Sequence, residues 1–329
     1  MVHRVNTNQI TFGARILHVQ TGLVLLVSMC AMFLVACKSS SAESVEGGKP
    51  RVVATTTMLT SAVDSIGGDD FEVQGIMKPG GDPHLYQPAP SDAKKVSRSQ
   101  LVITSGLHLE GWLDSLVQHA GGERPIVVAS QGIEPIRMEG APGGVDPHFW
   151  FDLDAWSQAS REITASMVKI ASTPDVKASV QQRGDAYVER IQSLDAWVKA
   201  QLQTIPEQQR VLITSHDAFN YFGRRYGLEV VGIQGASTEQ AASQRDVVNM
   251  IELVKSRKIP TIFIESSVNP ALIKQVARQT GVKTAGPLYS DSLGMPDSNA
   301  ADYEGMIIAN TTQIVEGLGG SVTPFKAAP

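Results

Sequence analysis

Four side chains from four separated stretches could bind one ion. Two histidines sit in nearly the same phrase, His84 in GGDPHLYQP and His148 in GGVDPHFWFD, in a chain that holds only 7 histidines. Each follows a Gly-Gly turn and a proline. That proline fixes φ and removes a donor, so each imidazole is presented from a stiff, extended segment. Taken singly, either histidine reads as a turn or capping residue; taken together, the pair reads as two ligands. His216 in RVLITSHDAFNYFG stands where a strand meets a helix, and Asp291 in AGPLYSDSLG stands just past a strand end. Polar side chains at such ends point into the crevice where α/β proteins bind ligands. Three imidazoles and one carboxylate suit a borderline divalent cation such as Zn²⁺ or Mn²⁺, whereas Ca²⁺ and Mg²⁺ take all-oxygen shells. The absence of thiolates from this set disfavours Cu(I).

The surrounding pattern alternates strands with helices. RVVATTT from residue 51, FEVQGIM, LVITSG from 101 and PIVVAS from 125 read as strands, with a short helix over MLTSAVDSIGG. A second set follows: RVLITS, LEVVGI, TIFIES and VKTAGPL as strands, with helices near 217–226, 239–257, 270–280 and 301–318. Such alternation predicts two α/β lobes, each a mostly parallel sheet flanked by helices. Between them, residues 176–205 keep one apolar helix face through Val180, Tyr187, Ile191, Leu194, Val198, Leu202 and Ile205, bracketed by Pro174 and Pro206. At about 1.5 Å per residue this is a rod of roughly 40 Å joining the lobes. A continuous helix offers no loop residues to absorb a hinge rotation, so large opening motions are expected to be costly. The expected boundaries are a first lobe over 51–175, the linking helix, a second lobe over 206–320 and a tail over 321–329. Both Asp-Pro-His phrases precede the rod, so they are not one unit repeated in each lobe.

The N-terminal 36 residues read as a targeting segment, because Arg4 and Arg15 precede the apolar run LVLLVSMCAMFLVA, which is too short to span a bilayer comfortably. The run ends in Leu34-Val35-Ala36-Cys37, which resembles the lipobox of bacterial lipoproteins. That resemblance implies cleavage before Cys37 and lipid attachment to it. Residues 37–50, largely Ser, Gly and charged, then read as a flexible tether. Cys30 lies inside the lost segment, which leaves no second thiol for a disulfide. The formal charge is −5 and falls further when Arg4 and Arg15 leave, which argues against a nucleic-acid partner.

The phrases TSHDAFNYFGRRYGLEVVGIQG, IFIESSVNP, GPLYSDSLG, GGDPHLYQPAPSD and DPHFWFD, in this order and spacing, resemble the zinc/manganese solute-binding proteins of bacterial ABC uptake systems, the TroA-like cluster A-I family. The similarity spans residues 51 to about 320. It implies two lobes on a rigid helix, metal in the cleft, and an ABC permease with its ATPase as partners of a monomeric, lipid-anchored protein at the periplasmic or extracellular face. By the same resemblance His84, His148, His216 and Asp291 match the family's four liganding positions. Members regarded as manganese-selective often carry Glu at the third position, whereas His216 stands there in this chain and tilts the expectation towards zinc. The stretch after His84, LYQPAPSDAKKVSRSQ, lacks the His-rich loop often found in the zinc-specific branch.

Glu265, at the end of TIFIE, has two readings: a partner that accepts a ligand's ring N–H, or a cap for the helix starting near Pro270. Asp82 and Asp146 read as turn-formers, His108 and His119 as surface or packing histidines, and the four tryptophans as structural. Two other classes remain: a zinc-dependent hydrolase, and a solute-binding lipoprotein for a siderophore or corrinoid. A catalytic zinc keeps an open water position, which four protein ligands would close. No HExxH, GxSxG or P-loop pattern occurs in the chain.

Overall fold

The computed structural model describes residues 48–326. The expected leader, Cys37 and most of the tether lie outside these residues, as do 327–329.

The first lobe carries a four-stranded parallel sheet in the order β2-β1-β3-β4, formed by β1 (Arg51–Ala54), β2 (Glu72–Gly75), β3 (Leu101–Thr104) and β4 (Ile126–Val128). The strand expected to run through Thr57 stops at Ala54, because Thr56 turns to cap α1 (Thr57–Gly67) and accepts the Leu59 N–H at 3.3 Å. Two further helices, α2 (Pro90–Arg98) and α3 (Leu113–Ala120), are not evident from periodicity: each is short and buries at most two side chains. The turn at His148 leads into α4 (Leu153–Ile170), with Asp152 as its N-cap.

The linking helix α5 runs Pro174–Leu202, about 43 Å at ~1.5 Å per residue. It starts two residues before the expected boundary because Thr173 caps it and Pro174 fits its first turn, where no N–H is needed. It ends before Pro206, which pushes the preceding residue away from helical ψ; Thr204 and Ile205 make tight bonds three residues back to Gln201 and Leu202 instead. Val180, Val188, Ile191, Leu194, Val198 and Leu202 form its buried face. Gly184 lies against α4, where an added Cβ would come 2.3 Å from the Thr164 side chain.

After the rod come β5 (Val211–His216), α6 (Asn220–Tyr226), β6 (Glu229–Gln234), α7 (Gln244–Arg257), β7 (Thr261–Glu265), α8 (Ala271–Thr280), β8 (Lys283–Leu288) and α9 (Tyr303–Gly317). β5 pairs with β6 and β7 with β8, all parallel, and β5 lies beside β7. The rod is fixed to both lobes. Arg183 donates to the Ile66 and Gly67 carbonyls and to Asp70, whereas Arg190 pairs with Glu304 and Asp195 accepts from Arg225 and Tyr226. The largest apolar core is continuous from Val52 and Ile103 through Ile191 and Leu194 to Leu212, Phe219 and Ile307. Burial of that shared core, at ~25 cal/mol per Å² of apolar surface, opposes wholesale separation of the lobes.

Candidate metal centre

The four proposed donors come together. One ligand atom from each of His84, His148, His216 and Asp291 lies within 4.8 Å of every other, and all four residues are buried. Nε2 of His148 is 3.3 Å from Nε2 of His84, 3.4 Å from Nε2 of His216 and 3.3 Å from Oδ1 of Asp291. Nε2 of His216 is 3.4 Å from Oδ2 of Asp291, and Nε2 of His84 is 3.9 Å from Oδ1. Donors at about 2.0–2.1 Å from a tetrahedral ion are spaced roughly 3.3–3.4 Å apart, so the spacing around His148 matches the size of such an ion. Asp291 Oδ1 is buried and accepts no hydrogen bond among the described residues, while Oδ2 accepts from Ser267 at 3.0 Å.

Local structure explains each placement. His84 lies on the connection after β2, where its backbone N–H donates to Asp82 Oδ1 at 2.9 Å and the preceding Pro83 carbonyl accepts the Trp112 indole at 2.9 Å. His148 sits twenty residues beyond β4, at the turn leading into α4, so neither it nor His84 stands at a strand end. His216 is the last residue of β5 and Asp291 follows β8 by three residues.

Two carboxylates stand behind the imidazoles. Asp146 Oδ1 accepts the His148 backbone N–H at 2.9 Å and lies 2.7 Å from its Nδ1. Asp146 is therefore a turn-former, as its sequence position suggests, and also a ring partner, which the sequence reading missed; an Asp-x-His spacing in a stiff turn is the available signal. Asn220 in turn donates to Asp146 Oδ2 at 3.1 Å. Glu265 Oε1 accepts the His216 backbone N–H at 2.9 Å, and Oε2 lies 2.6 Å from Nδ1. Of the two readings for Glu265, the helix cap is taken by Asn269, which accepts from the first turn of α8, while Glu265 makes a close ion-pair contact with the His216 ring that lies off the direction of an N–H bond. A register shift between β7 and β8 at Phe263 and Glu265 accompanies this aim. The Asp146 bond sets the His148 ring to offer Nε2 to the centre, and Glu265 places a negative charge behind the His216 ring, whose Nε2 faces the same centre.

The electrostatics fit a cation. Burial pushes the Asp291 carboxyl upward, but the His216 and His148 imidazoles outweigh it and hold the group well below the usual carboxylate range. Burial likewise lowers His216 and His148, yet Glu265 and Asp291 carry His216 well above its ordinary value, and Asp146 with Asp291 raises His148. His84 has no such partner, and burial takes it down to about 3 despite Asp291.

His108 and His119 are exposed and away from this cluster, His119 lying 2.6 Å through Nδ1 from the Ser115 carbonyl. Trp150 spans the two lobes: its indole donates to the Ser290 carbonyl at 3.0 Å, and its own carbonyl accepts the Tyr303 hydroxyl at 2.5 Å.

The model of the family described as ZnuA, zinc-uptake complex component A periplasmic, matches residues 52–317. The manganese-binding lipoprotein MntA of Bacillus subtilis is 36% identical over 304 residues, covering 90% of this chain and 99% of its own. The zinc-binding protein TroA of Treponema pallidum is 36% identical over 285 residues, covering 84% and 92%. Among solved structures, the periplasmic zinc-binding TroA of Treponema pallidum superposes with a TM-score of 0.78 at 36% identity over 82% of this chain and 99% of that one. Fe(III)-bound YtgA of Chlamydia trachomatis gives 0.75 at 28% identity, over 84% and 100%. With its matched span running from β1 to the end of α9, this chain belongs to the ZnuA family of metal-uptake proteins.

Proposed function

We propose that this protein captures a divalent transition metal, Zn²⁺ or Mn²⁺, outside the cytoplasmic membrane and delivers it to an ABC permease driven by its ATPase. His84, His148 and His216 bind the ion through Nε2 and Asp291 through a carboxylate oxygen, with Asp146 orienting the His148 ring and Glu265 placing a negative charge behind that of His216. The observation that carries this reading is the donor spacing of 3.3–3.4 Å around His148, inside a buried group of three imidazoles and one carboxylate. The zinc- and manganese-binding relatives support both cargoes. Four protein donors complete a tetrahedral shell, which suits holding an ion and leaves no position for a catalytic water.

The ion is the cargo. Its capture is stripping of hydration water by neutral imidazoles and an ionised Asp291, with no bond made or broken in a substrate. Cys37 carries the lipid that keeps the protein at the membrane as a monomer on a short tether; among the described residues no helix is long and apolar enough to cross a bilayer. Competitive titration of metal-free protein with zinc and manganese tests the assignment. One ion per chain, lost in the His216→Ala variant, is the expected result; full metal content in that variant would redraw the site.

A further inference from the structure

The two lobes are tied together most heavily on the buried side of the cleft. The Trp150 indole donates to the Ser290 carbonyl and the Tyr303 hydroxyl to the Trp150 carbonyl there, Leu293 N–H donates to Thr57 Oγ1 at 2.9 Å, and Tyr221 donates to the Asp146 carbonyl at 3.2 Å. The segment joining β6 to α7, residues 235–243, belongs to the second lobe and has exposed residues at Gly235, Glu239, Gln240 and Ala241. Among the described residues it makes one hydrogen bond to the first lobe: Thr238 Oγ1 donates to Asp82 Oδ2 at 2.6 Å. The other oxygen of that carboxylate accepts the backbone N–H of His84. One half-buried carboxylate thus joins a liganding loop of one lobe to a surface loop of the other.

We propose that Thr238 is a positioning residue whose hydroxyl, bonded to Asp82, latches the cleft over the ion and sets how slowly the ion leaves. The inference rests on the metal-capture reading above. The His84 loop is held to its own lobe by the Trp112–Pro83 bond and by the Tyr86 hydroxyl on Asp92 at 2.8 Å. The loop 235–243 is held to its own lobe by Gln234, whose amide donates to the Gln240 carbonyl at 3.1 Å. The His84 loop is also tied to the second lobe by the Gly80 N–H, which donates to Ser292 Oγ at 2.8 Å, so movement of the 235–243 loop alone breaks only the Thr238–Asp82 bond and leaves these other ties whole. Opening at this edge bypasses the cost imposed by the rigid rod, because it needs movement of a loop and no rotation of a lobe. When Thr238 departs, Asp82 Oδ2 loses a charge-assisted partner in a half-buried setting, which favours reclosure.

The test is the rate of zinc release from loaded protein into excess chelator, for wild type, Thr238→Val and Thr238→Ser. Valine keeps the shape and removes the hydroxyl; serine restores it. Thr238→Val should release zinc roughly tenfold faster or more, the factor expected for a hydrogen bond to a charged group. Thr238→Ser should stay near wild type. Stoichiometry and the absorption spectrum of the cobalt-substituted site should be the same in all three, since no ligand is touched. Equal release from Thr238→Val and wild type overturns the latch, and so does equal acceleration by valine and serine, which would assign the effect to loop packing. A wild-type protein that retains no zinc would instead overturn the metal-capture reading itself.

Discussion

Asp146 Oδ1 lies 2.7 Å from Nδ1 of His148, and the opposite ring nitrogen is the one that faces Asp291 Oδ1 at 3.3 Å. A carboxylate on one side of an imidazole fixes which nitrogen is free on the other and makes that nitrogen more basic. Asp146→Asn keeps the size and the turn while removing the charge. Its zinc affinity, measured against a chromophoric chelator, should fall by about 10- to 100-fold with one ion still bound per chain. Unchanged affinity would reduce Asp146 to its turn-forming role.

His216 and His108 make a controlled pair. His216 is buried, with Nε2 3.4 Å from both His148 Nε2 and Asp291 Oδ2, whereas His108 is exposed on a loop. His216→Ala should leave dialysed protein with little metal, and His108→Ala should retain one equivalent. Elemental analysis after dialysis separates them; similar metal contents in the two variants would be incompatible with this ligand set.

Metal affinity should fall as the pH drops, and should begin to fall above the ordinary imidazole range. Burial lowers both rings, but Asp146 and Asp291 raise His148, and Glu265 and Asp291 raise His216, in the metal-free protein. A protonated ring cannot be a ligand, so the ion must displace protons from these two rings at pH values where a free imidazole, near 6.5, would already be neutral. His84, lowered to about 3, adds no competition in this window. The sign follows: raised imidazole values strengthen proton competition, so affinity climbs with pH through and beyond about 6.5. Titrations between about pH 5 and about pH 7.5 that gave one constant would contradict the assignment.

Bound metal should also raise the melting temperature in proportion to the logarithm of its concentration, because an unfolded chain does not hold the four donors together. Chelation should reverse the rise. A melting temperature indifferent to chelator would count against an ion in this cleft.

The four donors were legible in the sequence because each sits in a local context with its own signature, two in Asp-Pro-His turns, one at a strand end and one just beyond a strand. The long helix was legible because its apolar positions recur from Val180 to Leu202, over about six turns. What the sequence concealed was long-range. Nothing near Asp146 shows that its second oxygen will meet Asn220, 74 residues on, or that Asp82 will meet Thr238 across 156 residues. Short α2 was hidden for a different reason: it buries only Asp92 and Val96, too few positions to set up a period, whereas α3, which buries only Leu116, is marked in the sequence by the Gly-Gly that ends it after His119.

Gly184 tests how tightly the rod is seated. A glycine inside a helix costs about 1 kcal/mol relative to alanine, so Gly184→Ala would stabilise an isolated helix. Here the new Cβ would lie 2.3 Å from Thr164 Cγ2 and Oγ1. Thr164 cannot turn away freely, because its hydroxyl donates to the Ser160 carbonyl at 2.8 Å within the α4–α5 contact. Overpacking of this kind typically costs about 1–3 kcal/mol, which outweighs the propensity gain at the upper end of that range. Gly184→Ala should therefore lower the melting temperature of metal-free protein by a few degrees, at roughly 2–4 °C per kcal/mol for a chain of this size. In a Thr164→Ala background the penalty should shrink, since the clashing γ atoms are gone while the helix gain remains. Zinc stoichiometry should be unaffected in both backgrounds. A melting temperature that rose on Gly184→Ala in the otherwise native chain would mean that α4 and α5 have room to part.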